Sequence, residues 1–271
     1  MVCCGLATLD LAYVVARPPL VDEKVVAREL RVDAGGPALN AARTVVALGG
    51  RATLVTALGS GPLADLVRSR LGGVTVVDVA PGDHTPPVST VMVDDSGGRA
   101  VVSTNATRLG SPAPVSLPSD ADALLVDGHL MTTSTALAAS AGGPPVILDG
   151  GSWKDGLERL LPRVSVAALS AAFRLPDGDD ALTGVIRRGA AAAVRTHGPL
   201  PVEILSAGQL RRVAVPPADV VDSLGAGDVF HGALAFALAR GAGLDDAVAG
   251  AVVLASESVR HPGAMGWASG A

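Results

Sequence analysis

Short apolar runs separated by helix-length amphipathic stretches recur along most of this chain, and that alternation restricts the fold more than any other feature. The runs at 52–57, 74–79, 123–126, 146–149, 164–168 and 191–196 are four to six residues each and almost free of charge. Strands this short and apolar are buried on both faces, as in a parallel sheet covered by helices. Between them, 36–48, 62–71, 133–140, 153–161 and 180–188 read as helices, which a parallel sheet needs to carry the chain back to its starting edge. A strand at 1–6 opens the series, a β-hairpin over 202–215 follows it, and helices at 226–240 and 244–259 close it.

Two segments break the alternation. The first, about 11–34, carries β-like stretches at 12–15 and 25–32 separated by Arg17-Pro-Pro and an Asp-Glu-Lys turn. The second, about 86–105, has runs at 88–93 and 100–103 on either side of Asp94-Asp-Ser-Gly-Gly98, a strong hairpin signal. They are either decoration or a small β-sheet lid over the pocket at the carboxyl ends of the main strands. The expectation is one α/β domain over 1–271: a mostly parallel central sheet, helices on both faces, and the lid.

Composition excludes several functions. With 49% hydrophobic and 17% charged residues, the chain can bury a large core. A net charge of −5 without blocks of like charge gives no footprint for nucleic acid or for an anionic membrane. No run reaches the 18 or so uncharged apolar residues of a membrane span, and no charged leader precedes the first strand, so a cytoplasmic protein is expected. Cys3 and Cys4 are adjacent in an apolar strand and supply neither a disulfide framework nor a four-ligand zinc site. His84, His129, His197, His231 and His261 show no metal-like spacing and are expected to be structural or exposed.

The chemistry concentrates in Asp222-Ser-Leu-Gly-Ala-Gly-Asp228. Ala226, Val229, Phe230, Ala233, Leu234, Ala237 and Leu238 repeat at the three/four spacing of a buried helical face, so Gly225-Ala226-Gly227 opens a helix. Unpaired N–H groups at a helix start attract anions, and glycines let a ligand approach the backbone closely. Asp228 beside that positive end reads either as a dipole partner or as a reacting carboxylate, and the paired glycines favour the second.

This motif resembles the carboxy-terminal signature of the ribokinase-like (PfkB) carbohydrate kinases, Asp-Thr-x-Gly-Ala-Gly-Asp, at six of seven positions, with Ser223 keeping the hydroxyl. Gly35-Gly-Pro-Ala-Leu-Asn40-Ala, followed by Leu48-Gly49, resembles the amino-terminal signature of the same family, about 185 residues earlier. The resemblance implies an ATP-dependent sugar kinase with Mg²⁺, and a homodimer through the lid. Asp228 would be the general base that deprotonates a sugar hydroxyl, and the N–H groups of Gly225, Ala226 and Gly227 an anion hole for the transferred phosphoryl group. Asp10, Gly35, Gly36 and Asn40 would bind sugar, and Arg99 on the lid is a further candidate, alternatively a solvated hairpin residue. Asp222, Ser223, Gly225, Gly227 and Gly263 would face the nucleotide, with a K⁺ site near Asp222 and Ser223 left open.

Some positions depart from the pattern. Pro37 replaces a polar residue often found there. Where many members carry Asn-x-x-Glu to organise the Mg²⁺ waters, this chain has Ser170-Ala-Ala-Phe173, so metal ligands are left unassigned. Ketohexokinase-like kinases also lack that Glu, and Pro87 to Arg99 looks closer to that branch. Lys154, in Asp149-Gly-Gly-Ser-Trp-Lys, is a candidate phosphate contact or an exposed helix-start lysine, and His129 in Asp127-Gly-His lies at the presumed active edge. Two alternatives stay open: a nucleoside kinase, disfavoured because Tyr13 and Phe173 are among few residues able to stack a base, and a catalytically silent sugar- or nucleotide-binding regulator.

Overall fold

Val2-Cys3-Cys4, the first strand, sends alternate side chains into two separate cores, and every later element packs into one or the other. In the computed structural model, which describes residues 1–94, 98–105 and 112–270 (Arg99, Ser269 and Gly270 by backbone alone), Cys3 faces one core while Val2 and Cys4 face the second. The elements in chain order are β1 (Val2–Cys4), β2 (Thr8–Val14), β3 (Glu29–Gly35), α1 (Pro37–Ala47), β4 (Thr53–Thr56), α2 (Pro62–Arg68), β5 (Thr75–Asp78), β6 (Val88–Val93) and β7 (Arg99–Ser103). There follow β8 (Leu124–Val126), α3 (Met131–Ser140), β9 (Val146–Gly150), α4 (Leu157–Leu160), β10 (Val166–Leu169), α5 (Ala181–Arg187), β11 (Ala192–His197), β12 (Leu200–Ser206), β13 (Gln209–Val213), α6 (Ala226–Ala239) and α7 (Leu244–Ser258).

The main sheet runs β13-β12-β11-β10-β9-β8-β1-β4-β5; it is parallel from β11 to β5 and ends in the antiparallel β12–β13 hairpin. Leu54, Leu125, Ile147 and Val194 share the Cys3 core with α1, α2, α6 and α7, and Val55, Leu124, Val126 and Leu148 share the other with α3, α4 and α5. Period-2 alternation along strands apolar on both sides is what makes helices cover both faces. The chain leaves β1 for β4 on one side and later places β8 on the other, so strand order reverses at β1 and opens a crevice at the carboxyl ends there.

A second, four-stranded sheet, β3-β2-β6-β7, is antiparallel except between β2 and β6. Its first two strands differ from the expected 12–15 and 25–32. Thr8 pairs with Gly35 and Asp10 with Asp33, so the ladder extends through small and acidic residues whose strand propensity is poor. Cross-strand pairing overrides the local signal. The helix expected at 153–161 shrinks to α4, because Gly156 in the left-handed region (φ 95°) caps its start and Pro162 falls in the 3₁₀ turn after it. Among the described residues, no helix is long and apolar enough to cross a membrane.

The helices α1 and α6 cross at Gly232, where an added Cβ would sit 2.7 Å from the Ala41 carbonyl oxygen and 2.8 Å from Thr44 Cβ. Alanine there would gain about 0.5–1 kcal/mol of helix propensity but incur about 1–3 kcal/mol of overpacking, and the second term wins. Gly232→Ala is therefore expected to lower the urea midpoint by about 1–2 kcal/mol of stability with the m-value unchanged.

Candidate active site

Two glycines in backbone conformations closed to other residues aim two helices at the same edge of the sheet. Gly36 (φ 98°) starts α1, and an added Cβ would lie 2.5 Å from the Leu6 carbonyl oxygen. Gly225 (φ 74°) starts α6, where an added Cβ would lie 2.4 Å from that of Ala264. Neither position accepts a side chain without moving backbone.

The crossing of these helices brings together residues 188 positions apart: Asn40 Nδ2 donates to Asp228 Oδ2 at 2.8 Å. Asn40 is buried, and its Oδ1 has no partner among the described residues. Asp228 is half-buried. Burial pushes its carboxyl up to about 7, the negative charge of Asp149 adds to the rise, and the Asn40 bond and His231 oppose it. The Gly227 N–H belongs to the unpaired first turn of α6, and a Cβ at Gly227 would meet only open space. Ala226 donates to the Ser223 carbonyl at 3.4 Å, a long bond that a ligand oxygen can displace.

The other sequence-nominated residues divide between the two sides of this turn. Asp10 accepts from Thr8 Oγ1 at 2.6 Å and packs so tightly on Gly35 that a Cβ there would overlap its Oδ2. Burial raises its carboxyl above the usual range, against the pull of the Thr8 bond. Together with Asn40, Gly35, Asp222, Leu224 and Gly263 it lines a cavity of about 520 Å³ beneath the small sheet. On the other side, Ser223, Ala226 and Gly227 join Val215, Phe230 and Val252 around an apolar groove of about 470 Å³.

Gly263, expected with Asp222 at the nucleotide, lines the first cavity. Its N–H donates to Asp222 Oδ2 at 2.9 Å, while the Leu224 N–H takes Oδ1 at 2.9 Å. Asp222 thus ties the loop after α7 to the entry of α6. Arg99 begins β7, and its side chain lies outside the described residues, as do residues 95–97, on which the expected hairpin signal falls.

Phe173 cannot stack a base: it is fully buried and makes an edge contact with Trp153 at 6.3 Å between ring centroids. Ser170-Ala-Ala-Phe173 thus places a core aromatic where the resemblance leads one to expect an acid. No group of three or more His, Cys, Asp or Glu able to hold a metal occurs among the described residues. These donors do not form a protein-built Mg²⁺ cage, and each carboxylate oxygen of Asp222 accepts a backbone N–H.

Three polar residues at this edge carried little sequence signal. Asp127, just past β8, is buried and accepts from Leu6 N at 2.7 Å and His129 N at 2.9 Å, which bridges the crevice between β8 and β1. Asp149 in β9 faces His231 of α6, with 3.0 Å between Oδ2 and Nδ1. His231, grouped above with the structural or exposed histidines, is buried. Its three-residue separation from Asp228 on one helix face was the available clue.

The raised carboxyl of Asp228 has a consequence for stability. Below about pH 4 the group is protonated in both the folded and the unfolded chain, and its favourable contribution is complete. That contribution is lost as pH rises through about 7, because the unfolded chain has already released the proton that the fold retains. Asp228→Asn is therefore expected to melt about 5 °C above wild type at pH 8, with the difference closing towards pH 4 by calorimetry.

Comparison with known proteins agrees with this arrangement. The family model described as pfkB family carbohydrate kinase matches residues 1–268. A protein provisionally assigned as a ribokinase from Agrobacterium tumefaciens has 27% identity and a TM-score of 0.84, over 98% of this chain and 92% of its own. Arabidopsis thaliana ribokinase complexed with ribose and ATP has 20% identity and a TM-score of 0.77, over 98% and 94%. Escherichia coli phosphofructokinase-2 in complex with potassium has 20% identity and a TM-score of 0.74, over 97% and 94%. With two signature motifs converging on one sheet edge and a family match along nearly its whole length, the chain belongs to the pfkB family of carbohydrate kinases, phosphotransferases with an alcohol group as acceptor.

Proposed function

We propose that this kinase transfers the γ-phosphate of ATP to a sugar hydroxyl, with Asp228 as general base and the first-turn N–H groups of Gly225 to Gly227 as the anion hole. One observation carries the reading: the 222–228 turn stands between two cavities of unlike chemistry. Asp222 and Leu224 face the cavity that holds Asp10, Asp33 and Asn40, while Ser223, Ala226 and Gly227 face the groove, whose lining has no charged side chain. An aglycone-free sugar suits a wall with Asp10 and Asn40, whose carboxylate and free carbonyl oxygen accept hydroxyl protons. A purine suits the groove between Val215, Phe230 and Val252, by apolar contact instead of ring stacking.

An alcohol is a weak nucleophile at neutral pH, and a carboxylate with a proton affinity near that of the medium accepts its proton as the new O–P bond forms. With its carboxyl near 7, Asp228 is half ionised at physiological pH. The Asn40 amide holds one of its oxygens and leaves the other for substrate. Charge growing on the transferred phosphoryl group meets N–H groups already oriented by the helix start, so no reorganisation is needed during the reaction. Mg²⁺ bound by the nucleotide phosphates would neutralise part of their charge. The β2–β3–β6–β7 sheet covers the sugar cavity as a lid within a single 1–271 unit, and the exposed Leu30 and Val102, which share one face of it, give a homodimer apolar surface to bury.

The assay is ATP turnover over ketoses, aldoses and nucleosides. Asp228→Asn is expected to lose about 10²–10⁴-fold in kcat on the best sugar, with KM for ATP nearly unchanged. Full activity in that variant, or a nucleoside as the preferred acceptor, contradicts the assignment. Ala255→Phe, which fills the apolar groove, is expected to raise KM for ATP about tenfold and leave KM for the sugar alone; the reverse pattern would place the nucleotide elsewhere.

A further inference from the structure

We propose that the buried Asp149–His231 pair is a positioning element for the base: Asp149 holds His231 as an imidazolium one helical turn beyond Asp228, and the two opposite charges of the pair together set how readily Asp228 takes up and releases its proton. The inference rests on Asp228 being the general base and adds residues outside both family signatures.

The geometry is that of a charge pair. His231 Nδ1 and Asp149 Oδ2 are 3.0 Å apart, and both side chains are only 6% exposed. The two atoms are not aligned as a hydrogen bond, and Nε2 finds no side-chain partner among the described residues. A neutral histidine would leave both ring nitrogens and the facing carboxylate inadequately satisfied in the interior, an expensive arrangement. A protonated ring attracts the carboxylate directly. Because Asp228 and His231 are three residues apart on α6, they occupy one helix face, and β9 brings Asp149 beneath it.

The charged and titratable groups facing this cluster come from four directions: Asp149 from β9, Asp127 and His129 from the turn after β8, Lys154 from the loop after β9, and Asp228 from α6 itself, with the Asn40 amide of α1 against Asp228. Burial by itself disfavours a charged His231, yet Asp149, then Asp228 and the Ala168 backbone, outweigh it and hold the ring above the usual histidine range. On Asp228 the two partners act in opposite senses, Asp149 raising its carboxyl and His231 lowering it, with Asp149 the stronger. Deleting either member alone therefore exposes the other, with opposite signs. A purely structural pair would not behave this way.

The test follows the acid limb of the kcat/KM profile in wild type, Asp149→Asn, His231→Gln and the double variant, together with the midpoint of the Asp228 carboxyl ¹³C signal in the ligand-free protein. His231→Gln is expected to move both upward by about one pH unit and Asp149→Asn to move both downward by a smaller amount, because its loss also lets His231 release its proton, with the double variant close to Asp149→Asn. Shifts of the same sign in the two single variants, or midpoints unchanged from wild type, overturn the proposal. Asp228→Asn is measured alongside: if it keeps its turnover, the base assignment itself fails, whereas loss of turnover there with unmoved midpoints in the pair variants refutes the positioning role alone. Should neither single variant fold, the imidazole ¹⁵N signals of wild-type His231 decide the matter, because a protonated ring at pH 7 supports the pair and a neutral ring overturns it.

Discussion

The close crossing of α1 and α6 at Gly232 is the contact on which the rest of the site depends. The Ala41 carbonyl and Thr44 lie against the bare Cα of Gly232. One residue before Ala41 is Asn40, and one turn before Gly232 is Asp228, so the spacing of the helix backbones and the 2.8 Å bond between those side chains are one geometric fact. Gly36 and Gly225 then settle where each helix begins, and hence where its first-turn N–H groups point. Small residues at a crossing and left-handed residues at two helix starts leave little freedom for the reacting groups between them.

Charge is distributed unevenly over the same edge. Three acids, Asp127, Asp149 and Asp228, come from β8, β9 and α6, and each loses hydration there. Asp127 is compensated by two backbone N–H groups and Asp149 by the His231 ring. Asp228 has a single amide. Burial raises the carboxyls of Asp127 and Asp228 alike, and at about 7 Asp228 lies where a group that must accept a proton from an alcohol is needed. Stability is given up at that position, which is a common feature of reacting groups.

Much of this was legible in the sequence. The alternation of short apolar runs with helical stretches implied the covered parallel sheet, and the two glycine-rich motifs located Asn40 and Asp228 before any contact between them was known. The elements misjudged were those stabilised by partners distant in sequence. Asp33-Ala-Gly35 is a poor strand by propensity and forms one because Thr8 to Asp10 pairs with it. Phe173 looked available for stacking and is instead enclosed by Trp153 and the core beneath β10.

What the sequence by itself determined is whatever depends on local periodicity and on residue type at fixed spacing: the sheet, the helix starts, and the identity of a carboxylate next to an anion-binding turn. Only the tertiary structure decided which side chains meet. The separation of the carboxylate-bearing cavity from the apolar groove, the anchoring of Asp222 on backbone amides and the pairing of Asp149 with His231 all join residues from elements far apart in the chain. Local propensities act over a few residues, whereas burial and charge depend on everything within a few ångströms, and it is the packed fold that determines those neighbours.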